Sequence, residues 1–299
     1  MALSSADRRG ITCLVVGGMG FSISDALTKL AMLSLPFGEV IAVRNLFTSV
    51  LFLVLLSARR ELSHLKAAMT WPIAGRSLLD LGGTITFVLA ISHVRLADST
   101  AIVMSAPIFM TLLAIVVYGE KVGWHRWSAI VIGIAGVVLV TKPQPDSVSY
   151  WMLLAAVAAI CSAGRDLVTR SIGAHVNSVA VAFCATALIT VFGGTLSVRG
   201  DWVALDLTLF AVLAAAGACY AFGMFFLVQA FRGDISVSLV APFRYVMLIW
   251  SIGLGFLLFD ETPDFFTIVG SVIIIASGLY VLRREMVLGR RLTATAPER

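Results

Sequence analysis

Asp25 and Lys29 lie four residues apart in the stretch Phe21-Ser22-Ile23-Ser24-Asp25-Ala26-Leu27-Thr28-Lys29-Leu30, inside an apolar run that opens at Ile11. The run is long enough to cross a bilayer. An i,i+4 spacing puts both groups on one helix face, where they can pair. Ionised groups inside a spanning helix are costly, so they face a cavity or a partner and are functional candidates by default. The same pattern returns in Ser162-Ala163-Gly164-Arg165-Asp166-Leu167-Val168-Thr169-Arg170, where Asp166 and Arg170 repeat Asp-x-x-Thr-(Lys/Arg) in a second apolar segment.

Other polar residues lie where only a cavity or a partner can satisfy them. Arg44 is about two turns into the second apolar segment, and Arg244 lies well inside the ninth. Both suit a cavity or a buried interhelical pair, and either contact substrate or brace the bundle. Arg76 and Asp80, also i,i+4, can neutralise each other, and Arg76 near a helix end can snorkel. Tyr220 and Tyr245 carry hydroxyls that need partners inside a membrane, which makes them the better cavity candidates among many aromatics. With Asp98 these residues form a set able to bind a zwitterionic or nucleoside-bearing solute through carboxylates, cations and aromatic faces. Asp25 is the candidate proton-coupling group, because a carboxyl group in a cavity can exchange its proton with substrate. Its alternative is a permanent salt bridge to Lys29, which leaves an exchanger or facilitator without protons.

An enzyme reading rests on His93 and Asp98, whose His-x4-Asp spacing serves acyl transfer in membrane acyltransferases. No companion acyl-binding motif accompanies it. HEXXH, GxSxG, Walker and GxGxxG signatures are absent too, so no cofactor or ATP-driven pump is implied. Cys13, Cys161, Cys184 and Cys219 fall in apolar segments without metal-ligand spacing and read as small hydrophobes.

The elements that must position these groups are membrane helices. Hydrophobic residues make up 59% of the 299 and charged residues 13%, about half the usual share. A soluble domain could not hide that much apolar surface. The net charge of +5 is dispersed among loops and does not form a nucleic-acid face. Hydropathy divides the chain into ten spans near 11–33, 37–57, 72–93, 98–118, 124–141, 149–170, 177–197, 208–230, 235–258 and 264–282. The first resembles a signal peptide after Arg8-Arg9, but its length and charges mark an uncleaved anchor. The linker at 142–148 separates two units of five, 1–141 and 149–285, with a tail at 286–299.

Most flanking Lys and Arg, among them Arg8, Arg9, Arg59, Arg60, Arg126, Arg165 and Arg170, fall on one side; the other holds Lys29, Arg95, Lys142 and Arg199. Both termini are therefore expected in the cytoplasm. An odd number of helices per half inverts the second half, the plan of many secondary transporters. Asp25/Lys29 then lie towards the outer side and Asp166/Arg170 towards the inner. Ala106-Pro107 … Gly119-Glu120 in the fourth span is echoed by Ala241-Pro242 … Asp260-Glu261 in the ninth. The prolines free a backbone carbonyl in mid-span and permit a kink. The acids close their helices at the membrane surface. Ala129, Gly133 and Gly136, and Gly270, Ser271 and Gly278, put small residues along the fifth and tenth spans for close packing within the chain or in a dimer.

The run Leu89-Ala90-Ile91-Ser92-His93-Val94-Arg95-Leu96-Ala97-Asp98 … Ala106-Pro107 … Tyr118-Gly119-Glu120-Lys121 … Gly133-Ile134-Ala135-Gly136 resembles the first EamA-type repeat of the drug/metabolite transporter superfamily. Ala241-Pro242-Phe243-Arg244-Tyr245 … Asp260-Glu261-Thr262-Pro263 … Ser277-Gly278-Leu279-Tyr280 resembles the closing half of its ten-helix branch. Asp25 with Lys29, and Phe243-Arg244-Tyr245, are most similar to the branch that includes S-adenosylmethionine carriers. The resemblance implies an all-α integral membrane protein, ten transmembrane helices as two inverted five-helix repeats around a central cavity. It implies an inner-membrane secondary transporter of a small polar organic metabolite, working in the lipid bilayer by alternating access as a monomer or homodimer. A non-transporting membrane scaffold, with buried charges paired in a solid core, is the other alternative.

Overall fold

Chain that crosses hydrocarbon must satisfy every backbone N–H and C=O internally, and each apolar run does so by coiling into helix. The computed structural model describes residues 5–119, 123–141, 150–172, 176–198, 202–230 and 241–294. The first five spans are α1 (Ser5–Ala31), α2 (Phe37–Ala58), α4 (Trp71–His93), the pair α5 (Leu96–Val103) and α6 (Ala106–Tyr118), and α7 (Trp124–Thr141). A one-turn helix, α3 (His64–Ala67), joins the second and third. The next three are α8 (Tyr150–Ser171), α9 (Ser178–Val198) and α10 (Leu207–Ala230). A 3₁₀ turn (Ala241–Tyr245) with α11 (Val246–Phe259) forms the ninth, and α12 (Phe265–Ala294) the tenth. Among the described residues, seven helical segments are long and apolar enough to cross a membrane, and three shorter apolar helices occupy the fifth, ninth and tenth positions. The last helix continues beyond the tenth span to Ala294. The linker at 142–148, Glu120, Lys121 and the first residues of the ninth span lie outside the described residues.

The pattern of packing carries the internal symmetry. Exchanging the halves maps α1 onto α8, α2 onto α9, α4 onto α10, α5–α6 onto α11, and α7 onto α12. The most extensive contacts are α1 with α10, α4 with α8, α2 with α9, and α7 with α12. Under the exchange the first two interchange and the last two map onto themselves. The next contacts obey the same rule: α2–α10 answers α4–α9, and α1–α11 answers α8 with α5 and α6. Two inverted five-helix repeats produce this arrangement.

The small residues of the fifth and tenth spans meet each other. A Cβ at Gly136 would lie 3.0 Å from the Gly270 carbonyl, and one at Gly270 would lie 2.8 Å from the Gly136 carbonyl. Their stripe is thus used within the chain. The fourth span differs from the expected mid-helix kink. It breaks outright at Met104–Ser105, which leaves Pro107 in the first turn of α6, where its missing N–H is no loss. Pro242 likewise falls in the 3₁₀ turn before α11. Side chains such as Val54, Val116 and Leu257 stay exposed and present the outer face to lipid, while Trp71, Trp124 and Trp202 are exposed near helix ends, as in an interfacial belt.

Candidate functional site

Between the halves lies a cavity of about 480 Å³, within the range that holds a small organic molecule. It runs from Asp25, Arg44 and Phe87 down to Ile172, Val176 and Ser178 at the α8–α9 connection, where Ser178 is exposed. Both breaks in the helices border it, through Met104 and Arg244.

Its deep end is built on α2 and α10. Gly217 lets these helices touch: a Cβ there would stand 2.6 Å from the Arg44 carbonyl. The Thr48 hydroxyl donates to the Gly217 carbonyl at 3.1 Å and fixes the register. Tyr220, one turn further along α10, consequently lies under Arg44, the guanidinium 4.9 Å from the ring centroid. Phe21 of α1 meets the same ring edge-on at 5.4 Å. Asp25, on the next turn of α1, reaches only to 3.7 Å from Arg44 Nη2, beyond hydrogen-bond range. Arg44 is 3% exposed, and its Nε has no partner among the described residues.

Along the wall runs a ladder of charges. Arg76 donates to Asp80 at 3.0 Å and to the Thr169 hydroxyl at 3.1 Å. Arg165 donates to the other Asp80 oxygen at 2.8 Å and to Asp166 at 3.1 Å. Arg244 stands 3.6 Å from Asp166, and its side chain is 42% exposed. The bonds between α4 and α8 cross from one half to the other.

The opposite end is shut. Asp260 ends α11 in a left-handed conformation (φ 53°), which turns the chain so that the Glu261 N–H bonds the Gly255 carbonyl at 3.0 Å. The Glu261 carboxylate then accepts from Lys29 and, at 2.8 Å, from the Leu96 N–H. Lys29 donates a second bond, to the Val94 carbonyl at 2.6 Å. Arg95 bonds Asp98 at 2.8 Å, the Thr262 carbonyl at 2.8 Å and Asp264 at 2.9 Å. The Thr267 hydroxyl closes the clasp on Asp98 at 2.8 Å. Apart from Glu261–Gly255, Arg95–Asp98 and Lys29–Val94, these bonds join the first half to the second.

Of the residues singled out in the sequence, Asp25, Arg44, Asp80, Asp166, Tyr220 and Arg244 line the cavity. Lys29 and Asp98 belong to the clasp, so the i,i+4 pairing of Asp25 with Lys29 is not formed: Arg44 and Glu261 take the two groups instead. Tyr245 is buried against α12, where a Cβ on Gly278 would overlap its hydroxyl, and it does not line the cavity. The Arg170 side chain lies outside the described residues. His93 stacks on Trp151 and bonds Ser92, while Asp98 holds Arg95 and Thr267, so the two do not form a base–acid pair. Sequence reasoning undervalued Arg76 as a helix-end residue and Arg165 as a flanking cation. The signal for Arg165 was its place inside an apolar run beside Asp166.

Comparison with known proteins agrees with this architecture. The model of the EamA-like transporter family matches twice, over residues 8–142 and 149–283. The pseudopaline exporter of Pseudomonas aeruginosa is 26% identical over 280 residues, 93% of this chain and 97% of the exporter. The S-adenosylmethionine uptake transporter of Rickettsia bellii is 26% identical over 276 residues, 92% of this chain and 94% of its own length. A riboflavin transporter of Rhizobium johnstonii is 24% identical, covering 93% of this chain and 92% of its own. A solved crystal structure with 19% identity superposes with a TM-score of 0.61 over 97% of this chain and 99% of that one, a likeness of fold. With ten apolar helical segments, two matching repeats and a charged cavity between them, the chain belongs to the EamA-like transporter family, multi-pass membrane carriers of small metabolites.

Proposed function

We propose that the protein is a secondary transporter that moves a small polar organic metabolite of amino-acid or nucleoside type, such as S-adenosylmethionine, across the inner membrane by alternating access. The observation that supports this most is the contrast along the axis between the halves: a charged cavity reaches one end, and a clasp of bonds between the halves closes the other. Rocking the halves about the cavity would break the clasp and close the α8–α9 end, exposing the same residues to the other side. Asp25, Arg44, Asp80, Asp166, Tyr220 and Arg244 would meet the solute, with Lys29 and Asp98 serving closure. Basic residues flanking the spans support cytoplasmic termini, which makes the cavity inward-facing and the clasp outer. The names of the relatives, a pseudopaline exporter, an S-adenosylmethionine uptake transporter and a riboflavin transporter, support a small-metabolite solute.

The test is flux into proteoliposomes loaded with unlabelled solute, using radiolabelled S-adenosylmethionine, methionine and riboflavin. Saturable counterflow of the first or second supports the reading. Absence of counterflow for every probe, with protein shown to be inserted, counts against it.

A further inference from the structure

We infer that Arg44 and Asp25 form a subsite for an α-amino-acid head, the solute's carboxylate on Arg44 and its ammonium on Asp25; this rests on the transporter reading and deepens it. The ladder residues on the cavity wall bond one another, whereas these two remain in contact without a hydrogen bond, 3.7 Å apart. Arg244 is also loosely held, but with its side chain 42% exposed water can complete it. Arg44 is only 3% exposed, and its Nε has no partner among the described residues. A buried guanidinium left short of acceptors is a cost that the fold retains only where something else supplies them.

The local geometry selects among ligands. The Arg44 guanidinium lies over the Tyr220 ring, 4.9 Å from its centroid, and a carboxylate matches a guanidinium's fork of N–H donors in two-pronged fashion. A doubly charged anion such as phosphate would meet Asp25 beside it. A simple cation would meet Arg44. A neutral ring system would leave both charges unmatched. The opposite charges of an amino-acid head sit on one carbon, so two opposite partners this close can match both. Beyond the head, the cavity continues past Phe21, Phe87 and Met104 with room for an apolar or nucleoside side chain.

The experiment measures binding to the purified full-length chain by thermal shift and by competition. Its probes are S-adenosylmethionine and methionine, each beside its decarboxylated amine and its deaminated acid, with riboflavin as a probe that lacks the head. In the natural sequence, removing the carboxylate from the probe should weaken binding by at least about tenfold, because a site built for a polar group rejects the analogue that lacks it. In Arg44→Gln that loss should shrink below about twofold while sensitivity to the ammonium persists, and Asp25→Asn should show the converse. A merely structural Arg44 would weaken all probes alike. Arg44→Lys, and the double Asp25→Asn/Arg44→Gln, guard against variants that fail to fold.

Binding of the amine or of the acid as tight as that of its parent amino acid, binding of riboflavin alone, or no binding by any head-bearing probe overturns the subsite. The transport reading is judged separately, from labelling of Thr84→Cys on the cavity wall in a chain whose native cysteines are replaced by alanine. Reaction with a membrane-impermeant thiol reagent from both faces sustains alternating access even if the subsite falls. Reaction from one face alone counts against transport itself.

Discussion

At the closed end of the bundle Lys29, Arg95 and Asp98 of the first half are bonded to Glu261, Asp264 and Thr267 of the second; at the other, Arg76, Asp80, Arg165 and Asp166 are bonded along the wall of a cavity. Both sets cross between the halves, yet they are built differently. The clasp draws on loops and helix ends, where backbone groups such as the Leu96 N–H and the Thr262 carbonyl are free to join. The ladder lies on α4 and α8 inside their terminal turns, where backbone groups are already bonded, so side chains must satisfy side chains. A clasp of that kind can open by moving two short connections. A ladder of that kind loses a buried charge's partner if any rung goes.

The largest effect should therefore come from the ladder. Arg165→Ala would leave Asp80 and Asp166 facing each other with one cation fewer, and losing charged hydrogen bonds in this partly buried network costs about 2–3 kcal/mol. Unfolding in detergent should show it as a clear drop in midpoint, and Asp80→Asn on top of Arg165→Gln should recover part of it. An unchanged midpoint for Arg165→Ala would mean that cavity water, not Arg165, neutralises the wall.

Next comes the deep end of the cavity. Gly217→Ala places a methyl group 2.6 Å from the Arg44 carbonyl, so α2 and α10 must part. Overpacking of this kind costs about 1–3 kcal/mol. It should also lift Arg44 from Tyr220, weakening solute binding more than Arg165→Ala does. Equal losses of stability with unaltered binding would show that the placement of Arg44 over Tyr220 is not what the solute reads.

Breaking the clasp should change access more than stability. Glu261→Gln keeps the size of the side chain but removes the charge that Lys29 and Leu96 share, an effect of about 1–2 kcal/mol because the amide oxygen can still accept one of the two bonds. The halves should then open more readily at that end, and Thr84→Cys should react faster with an impermeant thiol reagent applied to that face. Lys29→Met should act in the same direction, and the pair of changes should be less than additive. Independent, additive effects would separate Lys29 from Glu261 in function despite their contact.

The fold was legible because its signals are long. Runs of about twenty apolar residues have one solution in a membrane, and the doubled Asp-x-x-Thr-(Lys/Arg) pattern revealed the halves. The site was legible only as a set of residue types. Asp25 and Lys29 share a helix face and so invite pairing, but a partner 232 positions away from Lys29 in sequence, Glu261, reaches it better. Arg44 comes to Asp25 for a reason that no local pattern contains: Gly217 admits α2 against α10. Likewise His93 and Asp98 have catalytic spacing, and what separates them is the choice of partners across the bundle, Trp151 for one and Thr267 for the other.

The smallest effect tests the turn that aims the clasp. Asp260 ends α11 at φ 53°, and its counterpart in the first half, Gly119, ends α6 at φ 65°. Only glycine enters this region freely, though aspartate is among the residues that tolerate it. Asp260→Gly should relieve the strain while adding disorder to the unfolded chain, for a net change within about 1 kcal/mol, favourable if anything. Gly119→Ala, with the strain imposed and nothing relieved, should lower stability by about 1 kcal/mol. Access at Thr84→Cys should be unaltered in Asp260→Gly, because the turn still delivers Glu261 to Lys29. Faster labelling there would show that the aspartate side chain itself helps hold the closed end, and the clasp would have to be redrawn to include it.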